Sequence, residues 1–122
     1  MEKIKRMGAW LVAAVFLGAS FVGVPASASA DASCPSGWLC IWDGFNYNGH
    51  KQQFYNCEFV NIGKLGWSDL LRSFKNPQTG HAVAKFYNWN GSSWEFLDSS
   101  VAPEYIPVVN FPLRTTDAIQ IC

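Results

Sequence analysis

The chain is poor in charge, histidine and methionine. Only 15% of its 122 residues are charged, nine basic against nine acidic, so the formal net charge is zero. A surface without basic excess excludes nucleic-acid binding by phosphate neutralisation, which needs clustered Lys and Arg. The two histidines, His50 and His81, each follow a glycine and read as solvated loop residues. No Cys-x-x-Cys spacing is present and neither histidine is near a cysteine in sequence, which argues against a zinc site. No Ser or Cys sits in a nucleophile-elbow pattern, no two carboxylates share a recognisable frame, and no glycine-rich loop is built to cradle phosphates. These absences point away from an enzyme. Aromatic residues, by contrast, are abundant at 16%, with six Trp, four Tyr and nine Phe. That much apolar surface excludes intrinsic disorder, and the length suits one small domain.

Residues 1–30 read as a secretory signal peptide. Lys3, Lys5 and Arg6 form a basic head, residues 8–24 are uncharged and mostly apolar, and Pro25 precedes an Ala/Ser-rich end. Cleavage is placed after Ala30, where Ala28 and Ala30 supply the small residues a signal peptidase requires; Ala28 and Ala32 are alternatives. A retained anchor is the competing reading, but the apolar run of 17 residues falls short of the usual span. Residues 31–122 then carry six basic and eight acidic residues, scattered singly, and no second run is long enough to cross a bilayer. The expected product is an exported monomer without membrane or nucleic-acid partners.

All four cysteines, Cys34, Cys40, Cys57 and Cys122, follow the signal segment. An even count in a short exported chain implies a disulfide framework, and a domain this small gains from such staples. Four cysteines allow three pairings. Cys34 with Cys40 is favoured because Pro35 and Gly37 can turn the intervening chain, leaving Cys57 with Cys122. In the chain-entropy view the long loop contributes about 4 kcal/mol and the short one about 2 kcal/mol.

The rest reads as short strands separated by turns. Residues 39–42, 52–55, 83–87, 94–97 and 118–122 are β-prone, and Asn-Gly turns fall at residues 46–49 and 88–91. The one helix-like stretch, residues 68–72, is expected to make a single turn. Many short strands with frequent turn signals predict an all-β sandwich or barrel. A faint repeat supports two halves. Trp42, Tyr47, Gly49, Gln53-Phe54 and Ser68-Asp69 recur in order as Phe86, Trp89, Gly91, Glu95-Phe96 and Thr116-Asp117. Neither half can bury its apolar face alone, so the two should pack together.

Trp42-x4-Tyr47-x-Gly49 resembles the aromatic signature of βγ-crystallin Greek keys, in which the first aromatic packs over the glycine of a folded hairpin. The cysteine-framed segment 34–40 just before it is similar to the start of secreted bacterial metalloproteinase inhibitors of the SMPI-like peptidase inhibitor family. The resemblance implies a βγ-crystallin-like sandwich of two Greek-key motifs, about residues 34–76 and 83–122, stabilised by disulfides. The second copy departs, because Phe86 to Trp89 is too short for the full signature.

Three functions follow. The resemblance implies inhibition of an extracellular protease. Its members carry the reactive bond in a disulfide-framed loop of the second half, which is not matched here because no cysteine lies between Cys57 and Cys122. The local substitute is the proline-rich stretch 101–112, with Pro103, Glu104, Tyr105, Ile106, Pro107 and Val108 as the inhibitory-loop candidates; a Greek-key crossover at a sheet edge is the structural alternative. The resemblance also implies calcium binding through two Asp-bearing segments. Asp69 and Asp117 fit, but Arg72 and Gln120 fall where a hydroxyl ligand belongs, so the sites are degenerate and no cofactor is required. Finally, Trp38, Trp67, Trp89 and Trp94 are candidates for stacking on sugar rings of a cell-surface polymer, against the alternative of core packing.

Overall fold

The structure, a computed structural model, describes residues 31–122; the expected export signal lies outside the described residues. Eight strands follow in order: β1 (Leu39–Trp42), β2 (Lys51–Phe54), β3 (Phe59–Val60), β4 (Ser73–Asn76), β5 (Val83–Trp89), β6 (Trp94–Val101), β7 (Glu104–Ile106) and β8 (Ala118–Gln120). They form two four-stranded antiparallel sheets with strand orders β2-β1-β4-β7 and β3-β8-β5-β6. Each half of the chain lends one short strand to the other half's sheet. β3 leaves the first half to pair with β8, and β7 leaves the second half to pair with β4. The halves are therefore interlocked rather than merely apposed.

Alternation along the strands decides what the sheets bury. Leu39, Ile41 and Phe74 from the first sheet meet Ala84, Phe86 and Ile119 from the second in one core, joined by Ile62, Trp67, Leu71, Val109, Leu113 and Ile121. The Phe74 and Phe86 rings cross the interface with centroids 5.0 Å apart. Each such large side chain contributes about 1.5–3 kcal/mol on burial. Trp67 belongs to this core, so it is unavailable to a ligand.

Strand register gives the correspondence between the halves. Ile41 pairs with Phe74 and Trp42 with Ser73; in the second sheet Phe86 pairs with Ile119 and Tyr87 with Ala118. The counterpart of Trp42 is thus Tyr87, one residue beyond the Phe86 that the sequence repeat suggests. Phe86 matches Ile41 and points into the core.

The expected strands are present with shifted ends. β5 runs on to Trp89, so its turn falls at residues 90–93, where the Asn90 carboxamide oxygen accepts from the Ser92 and Ser93 amides. The single helical turn expected at residues 68–72 does not form. Asp69 takes a left-handed φ of 60°, which breaks a right-handed helix, and its amide donates instead to Thr116 O at 3.2 Å. Short 3-10 turns lie at Phe45–Tyr47, Ile62–Leu65 and Pro112–Thr115. Both favoured disulfides are present, with Cα–Cα distances of 5.9 Å for Cys34–Cys40 and 5.0 Å for Cys57–Cys122.

Candidate functional site

Trp42, Tyr47 and Gly49 build the outer face of the first sheet. Trp42 is fully buried although it points away from the core. Its ring meets Tyr47 edge-on at 5.1 Å, Lys51 and Lys75 reach over it, and its indole N–H donates to Asp31 O at 3.0 Å. Burial pushes the Tyr47 hydroxyl pKa up, with Tyr105 adding to the effect. Gly49, at φ 85°, is needed because a Cβ there would strike the Asp43 carboxylate. That carboxylate accepts from the His50 amide at 2.8 Å.

The inhibitory-loop candidates divide into two groups. Glu104, Tyr105 and Ile106 form β7, paired with β4 at the edge of the first sheet, and Pro103 enters it through a cis Ala102–Pro103 bond. This half of the stretch has the crossover role weighed as the alternative. Pro107 and Val108 belong instead to a tight loop over residues 107–112. Pro107 O accepts from the Asn46 amide at 2.7 Å, and the Val109 amide donates to Arg72 O at 2.9 Å. Val109 is fully buried, and the Asn110 carboxamide oxygen accepts from the Leu113 amide at 3.1 Å. Between these ties Val108 is 51% exposed and Phe111 73% exposed. The sequence named the apolar residues but not their anchors. Asn46, far from Pro107 in sequence, carries no local signal of that contact.

Asp69 and Asp117 do come together, where the two halves meet. Asp117 is nearly buried; one of its oxygens accepts from the Ser68 hydroxyl and the other from the Trp89 amide at 2.8 Å. Desolvation, then the Asp117 charge, raise the Asp69 carboxyl pKa, while Arg72 opposes them. Arg72 Nη1 donates to both Asp69 O and Leu71 O at 2.9 Å. A calcium ion needs several free oxygen ligands. Here each Asp117 oxygen already accepts a hydrogen bond, and the Arg72 guanidinium holds two neighbouring carbonyls and brings a positive charge beside Asp69. Asn61, Gly63, Asn88, Trp89 and Trp94 complete a cleft of about 550 Å³ around the two aspartates. Asn61 and Asn88 were not legible as site residues, because only the fold brings residues 61, 88 and 117 together. Trp38 lies elsewhere, its ring tilted against Tyr55 with centroids 5.1 Å apart.

The chain matches peptidase inhibitor family I36 over residues 27–97, which is more than half its length and stops short of the 107–112 loop. A curated relative, an uncharacterised gerABC family protein of Dictyostelium discoideum, is 33% identical over 63 residues, covering 48% of this chain and 51% of that protein. The chain thus spans about half the length of the curated relative it matches. Among solved structures, a βγ-crystallin domain from Clostridium beijerinckii superposes with a TM-score of 0.53 at 13% identity, covering 67% of this chain and 93% of that one. The N-terminal domain of Protein S gives 0.51 at 11% identity, covering 68% and 92%. At such identities these likenesses show the fold alone, an all-β sandwich of βγ-crystallin type.

Proposed function

The chain belongs to peptidase inhibitor family I36, and we propose that it blocks an extracellular metalloprotease with the loop over residues 107–112. Membership of that family supports an inhibitor rather than an enzyme. The observation that carries the loop assignment is the exposure of Val108 and Phe111 on either side of fully buried Val109. An inhibitor gains affinity when its contact segment is already ordered, since less conformational entropy is lost on binding. Hydrogen bonds to Asn46 and Arg72 supply that order, and Pro107 and Pro112 restrict the loop at both ends. Two apolar side chains on a stiff loop suit a protease whose pockets take apolar groups, which is why a metalloprotease of the thermolysin type is the favoured target.

Two disulfides persist only in an oxidising compartment, which supports placing the protein outside the cell. Among the described residues no helix is long and apolar enough to cross a membrane. We assign the protein a monomeric role with no cofactor. Assay of the purified protein against metallo-, serine and cysteine proteases tests the reading: inhibition of the metalloprotease supports it, and inhibition of none of them removes it.

A further inference from the structure

The outer face of the second sheet carries five aromatic rings in one continuous run. Phe59 on β3 meets Tyr87 on β5 at 5.6 Å and Trp94 on β6 at 5.3 Å; Tyr87 meets Phe96 at 5.8 Å, and Trp89 meets Trp94 at 5.1 Å. Phe59, Trp89 and Phe96 are 42%, 46% and 55% exposed. On the matching face of the first sheet Tyr47, Lys51, Lys75 and residue 31 cover Trp42, and Tyr105, opposite Lys75, is the exposed aromatic there. Tyr87, the register counterpart of Trp42, packs between the Phe59 and Phe96 rings, with Lys85 two residues before it on the same strand. Three of the five rings on this face stay substantially open to solvent.

The run ends at the cleft described above, with Trp89 and Trp94 as one wall. The opposite side offers polar groups that are not used internally. Among the described residues, the Asn61 carboxamide nitrogen, the Asn88 carboxamide oxygen and the Asp69 carboxylate make no hydrogen bond. Among the described residues Asp69 and Asp117 line the cleft and no Lys or Arg does, although Arg72 lies beside Asp69; Glu95 sits next to it bonded to Asn88. Lys85 stands on the same face, two residues before Tyr87 and in one cross-strand row with Gln120 and Phe59, away from the cleft.

We infer that this face binds an uncharged polysaccharide, its sugar rings lying on Phe59, Trp89 and Trp94 and its hydroxyls meeting Asn61, Asn88 and Asp69. A pyranose ring presents a face of C–H groups, which packs on an aromatic ring, and a rim of hydroxyls, which needs both donors and acceptors. The platform and the cleft supply these side by side. The carboxylates disfavour an anionic chain, and the amide donors and acceptors match hydroxyls without calling for a charge on the ligand. This site shares no residue with the 107–112 loop, so a protein could hold cell-wall material and a protease together.

The test is retention of the purified protein on insoluble cellulose and chitin, with dextran sulfate as the anionic control. Retention on at least one uncharged polymer and not on dextran sulfate is expected. Trp89→Ala should weaken it about tenfold or more, the scale of one lost stacking contact. Asp69→Asn, on an exposed turn, should weaken it severalfold, and Trp38→Ala should leave it unchanged. Far-UV circular dichroism and melting temperature establish that each variant is folded; should Trp89→Ala not fold, Asp69→Asn carries the comparison. The proposal is overturned by no retention on either uncharged polymer, by folded variants that bind like the wild type, or by sedimentation showing a dimer that Trp89→Ala dissociates, in which case a second copy is the occupant.

Discussion

The Asn76 carboxamide nitrogen donates to Ser100 twice, to its carbonyl at 3.0 Å and its hydroxyl at 3.1 Å, with both residues buried. Asn76 ends β4 of the first sheet and Ser100 lies on β6 of the second, so this pair bridges the sandwich through an otherwise apolar interior. Gln78 extends the bridge by donating to Asn76 Oδ1 at 2.9 Å and to Ile121 O at 2.7 Å.

Removing one partner from such a network leaves the others desolvated and unpaired. Asn76→Ala is expected to cost about 1–3 kcal/mol. For a domain of this size that lowers the melting temperature by roughly 4–8 °C per kcal/mol, as differential scanning calorimetry would show. A change within 1 °C would mean that the bridge adds little.

Arg72 leads to an expectation about calcium. Its guanidinium holds the Asp69 and Leu71 carbonyls, so millimolar calcium should leave the melting temperature unchanged. An ion bound at 100 times its dissociation constant would add about 2.7 kcal/mol, a shift easily seen by calorimetry. A rise of several degrees would show that the ion displaces the arginine.

Asp69 should make stability depend on pH in a definite direction. Its carboxyl pKa is raised in the folded protein, by desolvation first and by Asp117 second. The folded state therefore holds this proton more tightly than the unfolded chain. Its contribution is most favourable below the ordinary carboxylate pKa and is lost as pH rises through the folded value. Asp69→Asn removes the ionisation and keeps a side chain tolerant of φ 60°. Urea unfolding should find the variant as stable as the wild type at pH 3 and more stable at pH 7. The reverse order would contradict the assigned repulsion.

Much of the fold could be read from residues that act locally. Gly49 and Gly91 marked their turns, the alternation in residues 118–120 marked β8, and the disulfide pairing followed from Pro35 and Gly37 inside a short loop. What could not be read depends on distant partners. The two-residue strand β3 has too short a pattern to show its period, and it exists because β8 pairs with it. β7 was hidden by flanking prolines that read as loop, although prolines are tolerated at a sheet edge. Asp69 resembled the start of a helical turn until Thr116, from the other half, took its amide. The site followed the same division: Trp89 and Trp94 were visible as aromatics beside a turn, whereas their convergence with Asn61 was not.

The most direct test of the function is titration of a thermolysin-type metalloprotease with wild-type protein and with Phe111→Ala. Phe111 is largely exposed, so its truncation should leave the fold and melting temperature intact. Dose-dependent inhibition by the wild type, weakened about tenfold or more in the variant, is the predicted result for an apolar anchor at an interface. No inhibition at micromolar protein, or equal inhibition by the two proteins, would contradict the assignment of the 107–112 loop.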